Sequence, residues 1–238
     1  MRVVGWFSLK RKPIRILLSV LILVAVLGST LILSLSPVFA NPLCGTTITT
    51  NTTLTANIGP CLGTGLYIGK NGITLNCAGH TISGSGSANV EGGIGLYGIT
   101  KATVKNCHVK GFGDGFYIYS SSSNTFSGNT ANNNNVAGFQ FAGTSGKNRL
   151  TGNTANSNGA SGFSLYGSVS GNILTKNTAN SNGGPVYSGF GYYDSTKGSG
   201  TKGTANFYTS NECKLNTFEG AYPPNTGAMP YLCTPQSP

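Results

Sequence analysis

Five carboxylates are all the acid the chain carries: Glu91, Asp114, Asp194, Glu212 and Glu219. Glycoside hydrolysis needs two of them flanking one bond, one as acid and the other as base or nucleophile. Glu91 and Asp114 are the best-placed pair, because each lies just before a recurring glycine-led motif on neighbouring repeats. Two solvated turn carboxylates are the plainer reading of the same residues. His80 and His108 are the only histidines and no Cys-x-x-Cys occurs, so zinc spacing is absent. The six cysteines Cys44, Cys61, Cys77, Cys107, Cys213 and Cys233 are even in number, which in an exported chain argues for disulfides. Local closeness favours Cys44–Cys61, Cys77–Cys107 and Cys213–Cys233, although six cysteines allow many other pairings.

The recurring motif is Gly-h-x-h, with h apolar. It begins at Gly65, Gly93, Gly115, Gly138, Gly162 and Gly189, with intervals of 28, 22, 23, 24 and 27 residues. The residue after it is Tyr97, Tyr119, Ala142, Tyr166 and Tyr193 in the later copies, with Tyr67 and Tyr117 nearby. If the h residues point inward, these tyrosines form a broken outward stripe. Sugar rings pack their C–H surface on such aromatic faces while phenol hydroxyls bond to sugar hydroxyls. Tyrosine is also simply a good exposed strand residue.

A second block is phased with the first. Asn124-Thr-Phe-Ser-Gly-Asn-Thr-Ala-Asn returns from Asn148 and Asn172 and, degraded, from Asn206, at spacings of 24, 24 and 34 residues. The long last interval is expected to hold loop insertions at Gly183–Tyr187 and Ser195–Thr204. Apolar residues alternate with polar ones over short stretches, the period of a strand. Helical periodicity is absent, and Gly and Asn are poor helix formers. Residues about two dozen apart should therefore stack in a coil of three short strands. In that coil Phe126, Leu150 and Leu174 are equivalent, as are Phe139, Phe163 and Phe190. Two columns, Asn124–Asn148–Asn172–Asn206 and Asn129–Asn153–Asn177–Asn211, should bond along the axis, with Asn taking the left-handed turn positions.

The first forty residues differ from the rest. Lys10, Arg11, Lys12 and Arg15 precede the 25 uncharged residues Ile16–Ala40, which end in Ser36-Pro-Val-Phe-Ala. That is the layout of a secretory signal cleaved after Ala40. Its length also suits an uncleaved anchor, so membrane contact is expected only if residues 16–40 remain. Residues 41–238 would then carry ten basic and five acidic side chains, a net charge of +5. The basic residues are scattered singly, so no nucleic-acid partner is expected. Only 8% of the whole chain is charged, against roughly 25% in typical soluble domains, which leaves little material for ionic catalysis.

The repeats resemble those of NosD-like periplasmic proteins within the pectate-lyase-like superfamily. The segments that carry the likeness are Asn71-Gly-Ile-Thr-Leu-Asn-Cys-Ala-Gly-His-Thr-Ile-Ser-Gly and Ala102-Thr-Val-Lys-Asn-Cys-His-Val-Lys-Gly. The resemblance covers roughly residues 44–220. It implies an all-β fold, a right-handed single-stranded parallel β-helix of about seven coils, preceded by the signal or anchor helix. Caps are expected near residues 44–64 and 212–238. The superfamily hosts lyases, hydrolases, adhesins and accessory proteins, so it implies no single activity. Lyases of this kind use Ca²⁺ on clustered carboxylates with a basic residue abstracting the proton, and no such cluster is visible. The lone mature arginine, Arg149, reads as a solvated outer-face residue. The NosD likeness raises copper handling, for which His80 and His108 on adjacent coils are the weak candidates, Met229 standing alone in the tail. No cofactor is expected. The expectation is an extracytoplasmic, non-catalytic protein that binds polysaccharide or cell-envelope glycans or belongs to a surface layer, with Tyr97, Tyr119, Tyr166 and Tyr193 as ligand contacts. A lyase or hydrolase using Glu91 and Asp114 is the alternative.

Overall fold

Strands of a few residues cannot fold alone, but they become stable when each pairs with its equivalent one repeat away. The computed structural model, which describes residues 43–86, 92–185, 187, 189–223 and 231–235, is built in this way. Every named strand pair is parallel and joins successive repeats. The first face is an eight-stranded sheet of Thr46–Ile48, Leu66–Ile68, Ile94–Tyr97, Phe116–Tyr119, Ala137–Ala142, Ser161–Leu165, Phe190–Asp194 and Glu219–Tyr222. A seven-stranded second face runs from Thr52–Thr53 to Phe207–Thr209. The third face has a four-stranded and a three-stranded part, joined by single-residue bridges through Thr130, Thr154 and Thr178. Residues 1–42, where the secretory signal or anchor is expected, lie outside the described residues. Among the described residues no helix is long and apolar enough to cross a membrane.

The interior follows from strand alternation. Leu66, Ile94, Phe116, Phe139, Phe163, Tyr192 and Ala221 form one inward column of the first face. Strand spacing forces the rings into stacks, with centroids 4.4 Å apart for Phe116–Phe139 and 4.9 Å for both Phe139–Phe163 and Phe163–Tyr192. Phe126 from the second face meets Phe116, Phe139 and Phe141 edge-on. The motif glycines are required by close approach. A Cβ at Gly138 would lie 2.7 Å from the Ala155 methyl and 2.8 Å from the Gly162 carbonyl oxygen.

The same test corrects the phase of one repeat. A Cβ at Gly191 would meet the Gly220 carbonyl oxygen at 2.7 Å and the Cys213 Cβ at 2.8 Å, so Gly191, not Gly189, is the motif glycine. Phe163 therefore pairs with Tyr192 rather than Phe190. The sixth copy reads Gly191-Tyr-Tyr-Asp, and Asp194 takes the inward place that Leu165 holds one coil below. Asp194 is buried and accepts four bonds: from the Thr196 amide (3.0 Å) and hydroxyl (2.6 Å), the Asn206 amide group (3.0 Å) and the Tyr208 hydroxyl (2.7 Å).

Both asparagine columns are present, and a third, Asn134–Asn158–Asn182–Asn216, completes one ladder at each corner of the coil. Each ladder Asn passes its side-chain N–H to the Oδ1 of the next, at 2.9–3.1 Å. The left-handed turn residue is not the ladder Asn but the residue before it, such as Lys147 (φ 55°), Ser157 (φ 55°) or Lys176 (φ 55°). The Asn side chain is thereby turned inward, and the conformational cost of about 1–2 kcal/mol falls on its neighbour. Asp194 closes the first ladder by accepting from Asn206.

The three disulfides are Cys44–Cys61, Cys77–Cys107 and Cys213–Cys233, as local closeness predicts. Their presence fits an oxidising, extracytoplasmic compartment. Cys107 stands one coil below Asn129 and gives its amide to the Asn129 Oδ1 at 3.1 Å, so a cross-link replaces the ladder where Asn stops. Closing a loop of 30 residues should contribute about 3.6 kcal/mol. A Cys77→Ser/Cys107→Ser variant is expected to lose that much in urea unfolding. An unchanged midpoint would show that the lower coils do not depend on the bridge.

Candidate functional site

Outward positions of the first face alternate with its inward column. Phe116 and Ile118 are buried, so Tyr117 and Tyr119 project from the same strand, their rings 6.3 Å apart and nearly parallel. Tyr97 pairs with Tyr119 on the neighbouring strand, and its ring lies 5.7 Å from that of Tyr117, 6.4 Å from Tyr119 and 6.0 Å from Tyr67. Beyond Ala142 the column resumes at Tyr166. The Tyr166 hydroxyl accepts from the Gln140 amide group at 3.4 Å and lies near that of Tyr117. Tyr97, Tyr119 and Tyr166 are 44%, 45% and 37% exposed, enough ring surface for a ligand to cover.

Tyr193 is not in this column. The two-residue change of phase pairs it with Ser164 and Tyr222, in the same outward column as Tyr67 and Tyr117. It stacks on Tyr222 at 5.2 Å and joins Phe190, which also touches Phe218, in a separate aromatic group. The expected stripe is therefore two groups, one centred on Tyr97, Tyr117 and Tyr119 and one at the far end of the face.

Asp114 ends the turn that leads into Phe116–Tyr119. Its Oδ1 accepts from the Ala137 amide at 3.0 Å, and its charge is felt by both the Tyr117 and Tyr166 hydroxyls. Burial pushes its carboxyl up from 3.8 to about 7, against the opposing pull of the Ala137 hydrogen bond. Burial, first, and Asp114 together raise the Tyr117 and Tyr166 hydroxyls above their ordinary 10.0. Glu91, the expected partner of Asp114, lies outside the described residues, as does Met229.

The remaining candidates fall elsewhere. His108 pairs with Thr81, one residue beyond His80, and lines a groove on the third face with Lys110, Thr130 and Asn132. Among the described residues no three His, Cys, Asp or Glu side chains are grouped to hold a metal. Arg149 projects from the second face, exposed as expected. Asp194, buried among its donors, escaped the sequence reading because alternation assigns an acid to the outside.

A family model described as the right handed beta helix region matches residues 38–179, more than half of the chain. The chain belongs to the right-handed β-helix family. The match spans the first coils of this β-helix and the tyrosine group of its first face. No curated protein and no solved structure matches the β-helix.

Proposed function

We propose that this β-helix is an extracytoplasmic protein that binds carbohydrate through the tyrosines of its first face. The observation that carries the reading is the ring group Tyr67, Tyr97, Tyr117 and Tyr119 on three successive strands, continued beyond the next strand by Tyr166. Strands repeat at about 4.8 Å, so the five from Leu66–Ile68 to Ser161–Leu165 spread these rings over about 19 Å along the axis, with a gap at Gln140 and Ala142. A glycan laid along that line would meet rings and hydroxyls in turn. Three disulfides support delivery to an oxidising compartment, and the low charge suits an adhesive rather than a catalytic surface.

Retention on a panel of immobilised polysaccharides tests the reading. At least one glycan should retain the protein, and a Tyr97→Ala/Tyr119→Ala variant should bind it at least about tenfold more weakly with unfolding unchanged. Equal retention of the variant would remove the tyrosines from the site.

One observation favours a second reading, cleavage of polysaccharide. A carboxyl that titrates at about 7 is suited to general acid or base work. Release of reducing ends or unsaturated uronides, abolished in Asp114→Asn, would establish it.

A further inference from the structure

The charge of the first face narrows what it can bind. Outward positions on its strands are Tyr67, Gly95, Tyr117, Gln140, Ser164, Tyr193 and Tyr222 in one column. Tyr97, Tyr119 and Ala142, followed by Tyr166, make the other. Neither column contains a lysine or arginine. The ten basic residues after residue 40 are placed elsewhere. Lys105 and Arg149 project from the second face and Lys110 and Lys214 from the third. Lys101, Lys147 and Lys176 occupy left-handed turns and Lys70 lies in a loop, while Lys197 and Lys202 line a groove with Tyr222 at the far end of the face, away from Tyr97, Tyr117 and Tyr119.

Recognition of an acidic sugar relies on a cation at the carboxylate, most effectively a paired arginine. Here the ionisable group beside the rings is an acid. Asp114 stands two residues before Phe116–Tyr119, its Oδ1 on the Ala137 amide of the next strand, and its charge is felt by the Tyr117 and Tyr166 hydroxyls. A uronate carboxylate laid across these rings would meet a like charge with no cation between them. An uncharged sugar meets no such opposition, and its hydroxyls can donate to Asp114 and to the phenol oxygens.

We infer that the first face selects neutral glycan chains and that Asp114 discriminates against uronate-containing ones. The inference rests on the carbohydrate-binding reading above and adds the ligand class to it. Both are tested by affinity electrophoresis of the full chain at pH 8. An unsubstituted xylan, a mannan and a linear glucan serve as neutral probes, with polygalacturonate and alginate as charged ones.

The expected result is retardation by at least one neutral polymer and at least about tenfold weaker retardation by both uronates. Tyr97→Ala should weaken the former several-fold. Asp114→Asn should raise uronate binding several-fold relative to neutral binding. Uronate binding as strong as neutral binding in the wild-type chain would overturn the neutral-glycan inference while sparing carbohydrate binding. Retardation by no polymer of either class would overturn the binding reading itself. Unaltered discrimination in Asp114→Asn would remove that carboxyl from its assigned role.

Discussion

Replacing Asn153 by alanine should lower the free energy of unfolding by about 4–6 kcal/mol, a large part of the stability of a domain this size. The side chain is fully buried and makes four bonds, each with a buried partner. Its Oδ1 accepts from the Asn129 amide (3.0 Å) and the Asn129 side chain (3.0 Å). Its Nδ2 donates to the Phe126 carbonyl (2.9 Å) and to the Asn177 Oδ1 (3.0 Å). Alanine leaves all four without that bond in a site closed to water, at about 1–3 kcal/mol each before relaxation. Asn132→Ala is the control. Asn132 is half-buried and its Oδ1 accepts from the Asn156 amide at 2.7 Å, so its loss should cost about 1 kcal/mol. Urea unfolding of the two variants measures the difference. Equal losses would mean that the ladders do not couple the coils.

The ladders and the cross-links divide the solenoid between them. The ladders begin at Asn124, Asn129 and Asn134, which accept from the amides of Ala102, Cys107 and Phe112 in the coil below. Below that level the buried ladders stop, leaving one exposed Asn106–Asn76 side-chain bond at 3.2 Å, and two disulfides, Cys44–Cys61 and Cys77–Cys107, join the coils. At the far end Asn206 is closed by Asp194, and Asn211 donates to the Leu232 carbonyl at 3.3 Å, beside the Cys213–Cys233 bridge. An end coil has no further neighbour to satisfy its edge. Covalent bonds and a buried acid serve where repetition stops.

What could be read from the sequence was whatever repeats. The inward columns and two of the Asn ladders follow from residues recurring about every two dozen positions, and the disulfide pairing follows from closeness along the chain. The third ladder carried the same signal, an Asn two residues after Asn132, Asn156 and Asn180, but lay just beyond the recognised block. The sixth motif copy failed for a physical reason. Gly189-Phe-Gly-Tyr fits the apolar pattern, whereas Gly191-Tyr-Tyr-Asp, the copy in register, places an acid at an inward position. Binary patterning cannot anticipate a buried carboxylate, because its burial depends on donors from Thr196, Asn206 and Tyr208 that only the folded coil assembles. Tyr193 was assigned to the wrong column by the same two-residue error. The left-handed residue before most ladder Asn was equally hidden, since Lys, Ser, Gly, Asn and Leu share that position without a common chemistry.

Asp114→Asn should make the fold more stable at pH 8 and leave it nearly unchanged at pH 4. Folded Asp114 holds its proton up to about pH 7, whereas the unfolded chain releases it near 3.8. The folded state therefore binds more protons between these values, and the stability this group contributes is complete below 3.8 and lost as pH rises to about 7. That interval corresponds to a loss of about 4 kcal/mol at most. Asparagine has the same shape, can still accept from the Ala137 amide, and does not ionise. Thermal or urea unfolding of both proteins at steps from pH 4 to 8 isolates this group, because every other carboxylate titrates in both. The difference curve should rise with pH and level off above about 7. A flat curve would mean that Asp114 is well solvated, and would remove the physical basis for acid chemistry on this face. A rising one would mean that the fold carries an acid beside the tyrosines at a cost in stability, where asparagine would serve the coil better.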